Sequence, residues 1–166
     1  MKRIAAILLA ISLFPSAGLW AQGPDDPGFR GWGPRVGVTL DPDQVHFGVH
    51  VDFGNFSERV RFQPNVELGI GDDLTVVALN GDVHYRFREE WDVWTPYAGG
   101  GLSMVFWSWD DDGPPGRDDT EADLGASIIG GIEKGLGDGD RFFIETKVGL
   151  IDAPDLKVHV GWTFFH

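Results

Sequence analysis

The sequence predicts an all-β fold, eight antiparallel strands closed into an up-and-down barrel, and three observations carry that reading. Among 166 residues there are 24 Gly, 12 Phe and 7 Trp beside only 2 Met, a composition that favours short strands and tight turns over helices. From residue 33 onward, apolar and polar residues alternate with period two. Eight such runs are joined mainly by brief Gly, Asp and Pro turns, and an even number of consecutive hairpins can close without leaving a free edge. Composition also excludes several classes. The chain has no cysteine, which removes disulfide scaffolds, Cys-ligated zinc and thiol catalysis. Acids outnumber bases 26 to 13, which opposes general binding to nucleic-acid phosphates. Hydrophobic residues at 42% are too many for a disordered chain.

The elements follow in order. Lys2 and Arg3 precede an apolar stretch over 4–14, broken only by Ser12, and Leu19, Trp20 and Ala21 place a small residue before Gln22. This is the charged, apolar, small-residue order of a secretory signal peptide, assigned to residues 1–21. A membrane-spanning helix would need about 20 apolar residues, roughly twice this run. Residues 22–32 (QGPDDPGFRGW) read as an exposed leader, and 33–166 as one barrel domain. The predicted strands are 33–40, 45–53, 57–70, 73–87, 94–109, 119–136, 141–150 and 155–165. Asp41-Pro42-Asp43-Gln44 and Gly54-Asn55-Phe56 are the first two turn signals. No repeated sequence unit suggests a solenoid or propeller.

Alternation does not say which face is inside. One face carries Arg35, Arg61, Arg86, Lys147 and Lys157 against Asp52, Glu67, Asp82, Asp123, Glu133 and Glu145, with His46, His50, His84 and His159. Glycines interleave with them, among them Gly37, Gly48, Gly99, Gly101, Gly131 and Gly161. A solvated surface has no need of so many glycines, whereas a narrow eight-strand lumen needs them for long charged side chains to fold past one another. Near-balanced signs suit a closed interior in which charges must pair. The other face is almost free of charge, and its aromatics gather at the strand ends. Trp32, Phe53, Phe62, Tyr85, Phe87, Trp94, Trp162 and Phe164 fall at one rim, and Phe106, Trp107 and Trp109 towards the other. An apolar band between two aromatic belts is the pattern of a transmembrane barrel with a polar, side-chain-filled interior.

In strand count, alternation and last strand, residues 33–166 resemble the small bacterial outer-membrane β-barrels of the outer membrane protein A and X type. The resemblance implies a porin-like, integral protein of the Gram-negative envelope, located in the cell outer membrane. It implies contact with outer-membrane lipid and lipopolysaccharide, recognition by the barrel-assembly machinery, a monomeric state, and chain termini on the periplasmic side. Val158, Val160, Trp162 and Phe164 keep the alternation of the family's last strand, but His166 stands where the family ends in an aromatic residue.

The candidate chemistry is sparse. A lumen charge network is expected from Arg61, Glu67, Arg86, Glu133, Glu145, Lys147 and Lys157, with the three glutamates paired to the four bases. In one reading it is a structural polar core; in the other it lines a polar conduit or an ion-pair latch. In the loop WDDDGPPGRDDTE, Asp110, Asp112, Asp118 and Glu121 fall at positions 1, 3, 9 and 12 of a calcium-loop frame. Pro114 and Pro115 stand where a ligand and the turn glycine belong, so the loop reads first as a solvated acidic segment and second as a calcium or magnesium site. Ser57, Ser103, Ser108 and Ser127 have no histidine beside them in a strand, as a lipid-A deacylase would require of its nucleophile. The histidines show no metal-ligand spacing, and no cofactor is implied. The expected function is therefore a non-enzymatic outer-membrane barrel with a structural or surface role in the envelope and, at most, minor passage of small solutes. The alternatives are a secreted soluble barrel holding an apolar ligand and a lipid A-modifying enzyme.

Overall fold

The computed structural model describes residues 28–71, 74–109 and 120–165. The signal peptide, the start of the leader, His166, and Asp110, Asp112 and Asp118 of the acidic loop lie outside the described residues.

The alternating runs are strands: β1 Gly31–Leu40, β2 Gln44–Asp52, β3 Asn55–Ser57, β4 Val60–Gly71, β5 Leu74–Arg86, β6 Thr95–Trp109, β7 Thr120–Gly135, β8 Arg141–Ile151 and β9 Leu156–Phe165. Eight of them form a closed antiparallel barrel in which each pairs with its neighbours, β2 with β4 and β1 with β9 sealing the ring. The ninth, β3, was read as a turn. It is a three-residue ribbon added to β4 below the barrel, with Gly54 at φ 73 making the bend. The first strand begins at Gly31, so Gly31 and Trp32, assigned to the leader from sequence, are paired to Asp52 and Val51.

Strands reverse at every connection, so the molecule has two ends. The chain enters at Gly31 and leaves at Phe165 at one end, here the lower one, and the turns after β1, β5's partner β4, β6 and β8 lie at the upper one. Opposed residues of an antiparallel pair point to the same face, so the registers sort every side chain inward or outward. Outward stand Val36, Val38, Leu40, Phe47, Val49, Leu68, Ile70, Leu102, Leu124, Ile128 and Val148, each between 39% and 73% exposed. Inward stand most of the strands' charges.

At the lower end the outer face carries a belt of rings in contact. Trp32 meets Phe164 at 6.0 Å, Trp162 meets Phe142 at 4.5 Å, and Phe142 meets Trp94 at 6.0 Å between centroids. Tyr85 with Phe87 and Phe53 with Phe62 continue it. At the upper end the expected second belt is corrected. Trp107 is paired to Val76 and Trp109 to Leu74, both on the inner face, and only Phe106 of that trio faces out. Adjacent residues of a strand cannot share a face, so Phe106 and Trp107 could never have belonged to one belt. Trp107 instead packs with Val76, Ala78, Val105 and Leu74 as a small apolar plug in the upper lumen.

Candidate functional site

The lumen is the site, and a cross-strand pattern recurs in its packing: several large inward side chains lie opposite glycines. Arg35 is flanked by Gly48 and Gly161, and Glu67 also faces Gly48. His46 and His159 stand on either side of Gly37, Tyr97 and Glu145 on either side of Gly131, and Asp82 faces Gly101. A Cβ at Gly161 would lie 2.3 Å from the Phe143 ring, and one at Gly101 would lie 2.3 Å from the Asp82 carboxylate. The glycines are therefore the space that the charged groups occupy.

Two charge clusters fill that space. In the central one, Glu67 accepts from Lys157 at 2.7 Å and from Arg35 at 3.3 Å, with Lys147 at 4.0 Å. Lys147 donates to Asp82 at 2.5 Å, and Arg35 lies within 3.9 Å of Asp82 and 3.8 Å of Glu145. Asn65 bridges onward, donating to Asp82 at 2.6 Å and accepting from Asn80 at 2.8 Å. All of the charged members, three bases and three acids, are at most 8% exposed. Each charge has an opposite one within 4 Å, which offsets part of the cost of burial, while Arg35 Nε and Nη2, Asp82 Oδ1 and Glu145 Oε1 have no hydrogen-bond partner among the described residues.

The second cluster sits at the lower opening. Glu133 receives Arg61 at 2.8 Å and Arg86 at 2.7 Å, with Arg141 at 3.6 Å. Arg141 also donates to Asp52, which lies 3.8 Å from Arg61. Arg141 Cζ lies 4.9 Å from the ring of Phe165, the residue that breaks the outward parity of the last strand.

The lumen thus brings together all seven residues singled out from sequence, in two clusters linked through His84, which lies 3.1 Å from Arg61 and 3.4 Å from Glu145. Arg61, Arg86 and Glu133 belong to the lower cluster, and Glu67, Lys147 and Lys157 to the central one. The pairing expected for Glu145 is corrected: it touches none of the four bases named for it. It is held by Tyr97 at 2.7 Å, His159 at 2.9 Å and His84 at 3.4 Å, with Arg35 behind. Sequence reading left Arg35, Asp52 and Asp82 unassigned to any pair and missed Arg141. Arg141 opens a strand beside an acidic turn and reads as a surface residue until the register sets it opposite Thr163, facing in.

Folding also creates two groupings of metal-ligand type that no spacing announces. One ligand atom from each of His46, Glu67 and His159, and likewise from Asp82, His84 and Glu145, lies within 4.8 Å of the others. The carboxylates of both sets already accept from buried cations, so a dication would have to displace Lys157, Lys147 or Arg35. Nucleophilic chemistry has no better footing. Among the described residues no serine hydroxyl bonds a histidine; His46 pairs with Thr39 at 3.0 Å and His50 with Thr163 at 2.9 Å.

The chain itself narrows the upper mouth. The turn between β8 and β9 leans into it, with Pro154 buried. It uses the room left by Gly149 and Gly125, where a Cβ would meet Pro154 O at 2.6 Å and Asp152 O at 2.9 Å. Beneath it, Ala153, Pro154, Ser103, Ser127, Lys147 and Lys157 line a narrow space of about 10 Å³, room for about one water.

No protein-family model matches the sequence, and no curated protein matches it. Solved structures do. Neisserial surface protein A is similar at a TM-score of 0.64 and 12% identity, over 83% of this chain and 96% of that one. The N-terminal β-barrel domain of Pseudomonas aeruginosa OprF is similar at a TM-score of 0.55 and 11% identity, over 82% of this chain and 98% of that one. At such identities the likeness is one of fold, and this chain has the fold of the small eight-stranded outer-membrane β-barrels.

Proposed function

We propose that the chain is an exported, non-enzymatic integral protein of the bacterial outer membrane, with a structural or surface role in the envelope and a lumen shut to bulk solute. The observation that carries this is the inverted wall. Arg35, Glu67, Asp82, Glu145 and Lys147 are buried along the axis, while Val36, Leu68, Leu102, Leu124 and Trp162 cover the outside. In water that outside would be a continuous exposed apolar surface, far beyond the few hundred Å² normal for a soluble monomer. In a bilayer it is the matching solvent, and closed pairing satisfies every strand edge. The lower aromatic belt then sits at the lipid headgroups, and the outer face meets lipid along its length and lipopolysaccharide at its upper end. The barrel-assembly machinery would insert it after residues 1–21 are removed.

The soluble-carrier reading needs an apolar cavity inside, and the interior apolar residues are instead packed against each other as Val76, Ala78, Val105 and Trp107. Fractionation tests the proposal: the chain should sit in the outer membrane, begin at Gln22, and run as a compact band that shifts on heating. In planar bilayers it should give no steps of open-pore size. A mature chain that stays dissolved without detergent overturns the reading.

A further inference from the structure

The outer wall is not uniformly covered by large side chains. Between β6 and β7 the outward pair above Pro96–Ile132 is Ala98–Gly130, and the next rung sets Gly100 against Ile128, which stands out from the wall. A Cβ on Gly130 would meet nothing within 4 Å. Each two-residue step climbs roughly 6.7 Å, so Ala98, Gly100 and Gly130 leave a furrow about 7 Å long, with Ile128 as its upper wall. Its lower end opens into a groove of about 470 Å³ lined by Phe87, Glu89, Trp91, Pro96 and Ile132. That is the size of a site for a small organic ligand, and its walls are mostly apolar. Two residues along β7 from Ile132, on the same outer face, is Lys134. Its ammonium lies 4.9 Å from the Trp94 ring and 5.8 Å from the Phe142 ring and, among the described residues, makes no ion pair. A cation held on aromatic faces at the edge of an apolar groove, with the Glu89 carboxylate at the groove's wall, complements a headgroup that carries both signs.

We propose that this groove seats one phospholipid of the leaflet at the terminus-bearing end of the barrel. One acyl chain lies in the Ala98–Gly100–Gly130 furrow, the phosphate meets Lys134, and a primary amine meets Glu89 and the Trp91 ring. The assignment rests on the outer-membrane reading above, and it adds what that reading lacks, a specific lipid at a specific place.

The test uses the full mature chain folded into mixed vesicles of phosphatidylethanolamine and phosphatidylglycerol, then released gently for native mass spectrometry. The wild type should keep one phosphatidylethanolamine in preference to phosphatidylglycerol. Gly130→Leu fills the furrow where there is open space, and Lys134→Ala removes the phosphate partner. Each should cut the retained fraction about fivefold, with Lys134→Arg restoring it. Val49→Leu, on the opposite wall, should change nothing. Equal retention by all variants, or no preference in the wild type, overturns the site while the heat-shifted band still upholds the barrel. A change in oligomeric mass with Gly130→Leu, without change in lipid, overturns it in favour of contact with a second copy. A chain soluble without detergent overturns both readings together.

Discussion

The central and lower charge clusters are built from the same residue types and obey different rules. The central cluster sets Arg35, Lys147 and Lys157 against Glu67, Asp82 and Glu145, three against three, all of them buried. The lower one sets Arg61, Arg86 and Arg141 against Asp52 and Glu133, a surplus of one positive charge. The surplus coincides with access: the Arg86 side chain is 39% exposed and that of Arg141 12%, whereas both members of the Arg35–Glu67 pair are at most 1% exposed. Where solvent reaches an ion, its hydration replaces a partner; where it does not, stoichiometry must come from the protein. Charge balance in this lumen therefore tracks depth.

That comparison can be broken by mutation, most severely at its centre. Glu67→Ala leaves Lys157 buried without a carboxylate and should cost about 3–5 kcal/mol, read as a fall in the urea midpoint of vesicle-inserted protein. A smaller loss, about 1–3 kcal/mol by the same measurement, is expected of Gly161→Ala, whose added methyl would collide with the Phe143 ring. A double-mutant cycle sharpens the point: Glu67→Gln with Lys157→Met should lose less than the sum of the singles by about 1–3 kcal/mol. At the lower opening, Arg86→Ala should cost no more than about 1 kcal/mol, because its half-exposed charge is screened and Arg61 still serves Glu133. Equal losses for Glu67→Ala and Arg86→Ala would mean that depth does not govern the network.

Much of this architecture was legible from period-two alternation, because strand parity is a local property. Val148 and Trp162 fall outside, Glu67 and Lys147 inside, as their neighbours along the chain already imply. What depended on register was not legible. Glu145 finds Tyr97, His84 and His159 because β8 is flanked by β7 and β9 in one particular stagger, and no spacing along the chain encodes that. Arg141 was lost for the same reason. Trp107 was misplaced for a different one: a cluster of rings was read as a belt when the parity of Phe106 and Trp107 already separated them. Residue types at a strand end suggest a membrane edge, but only alternation says which rings reach it.

The tip of the β8–β9 hairpin occupies the upper mouth, and its Asp155 N–H also bonds to the carbonyl of Asp41 in the first turn. The same hairpin supplies β9, whose pairing with β1 zips the cylinder shut. Cork and zipper are thus one piece of chain. The strand that seals the cylinder therefore carries in with it the turn that fills part of its top, and displacing that turn would pull on the seam.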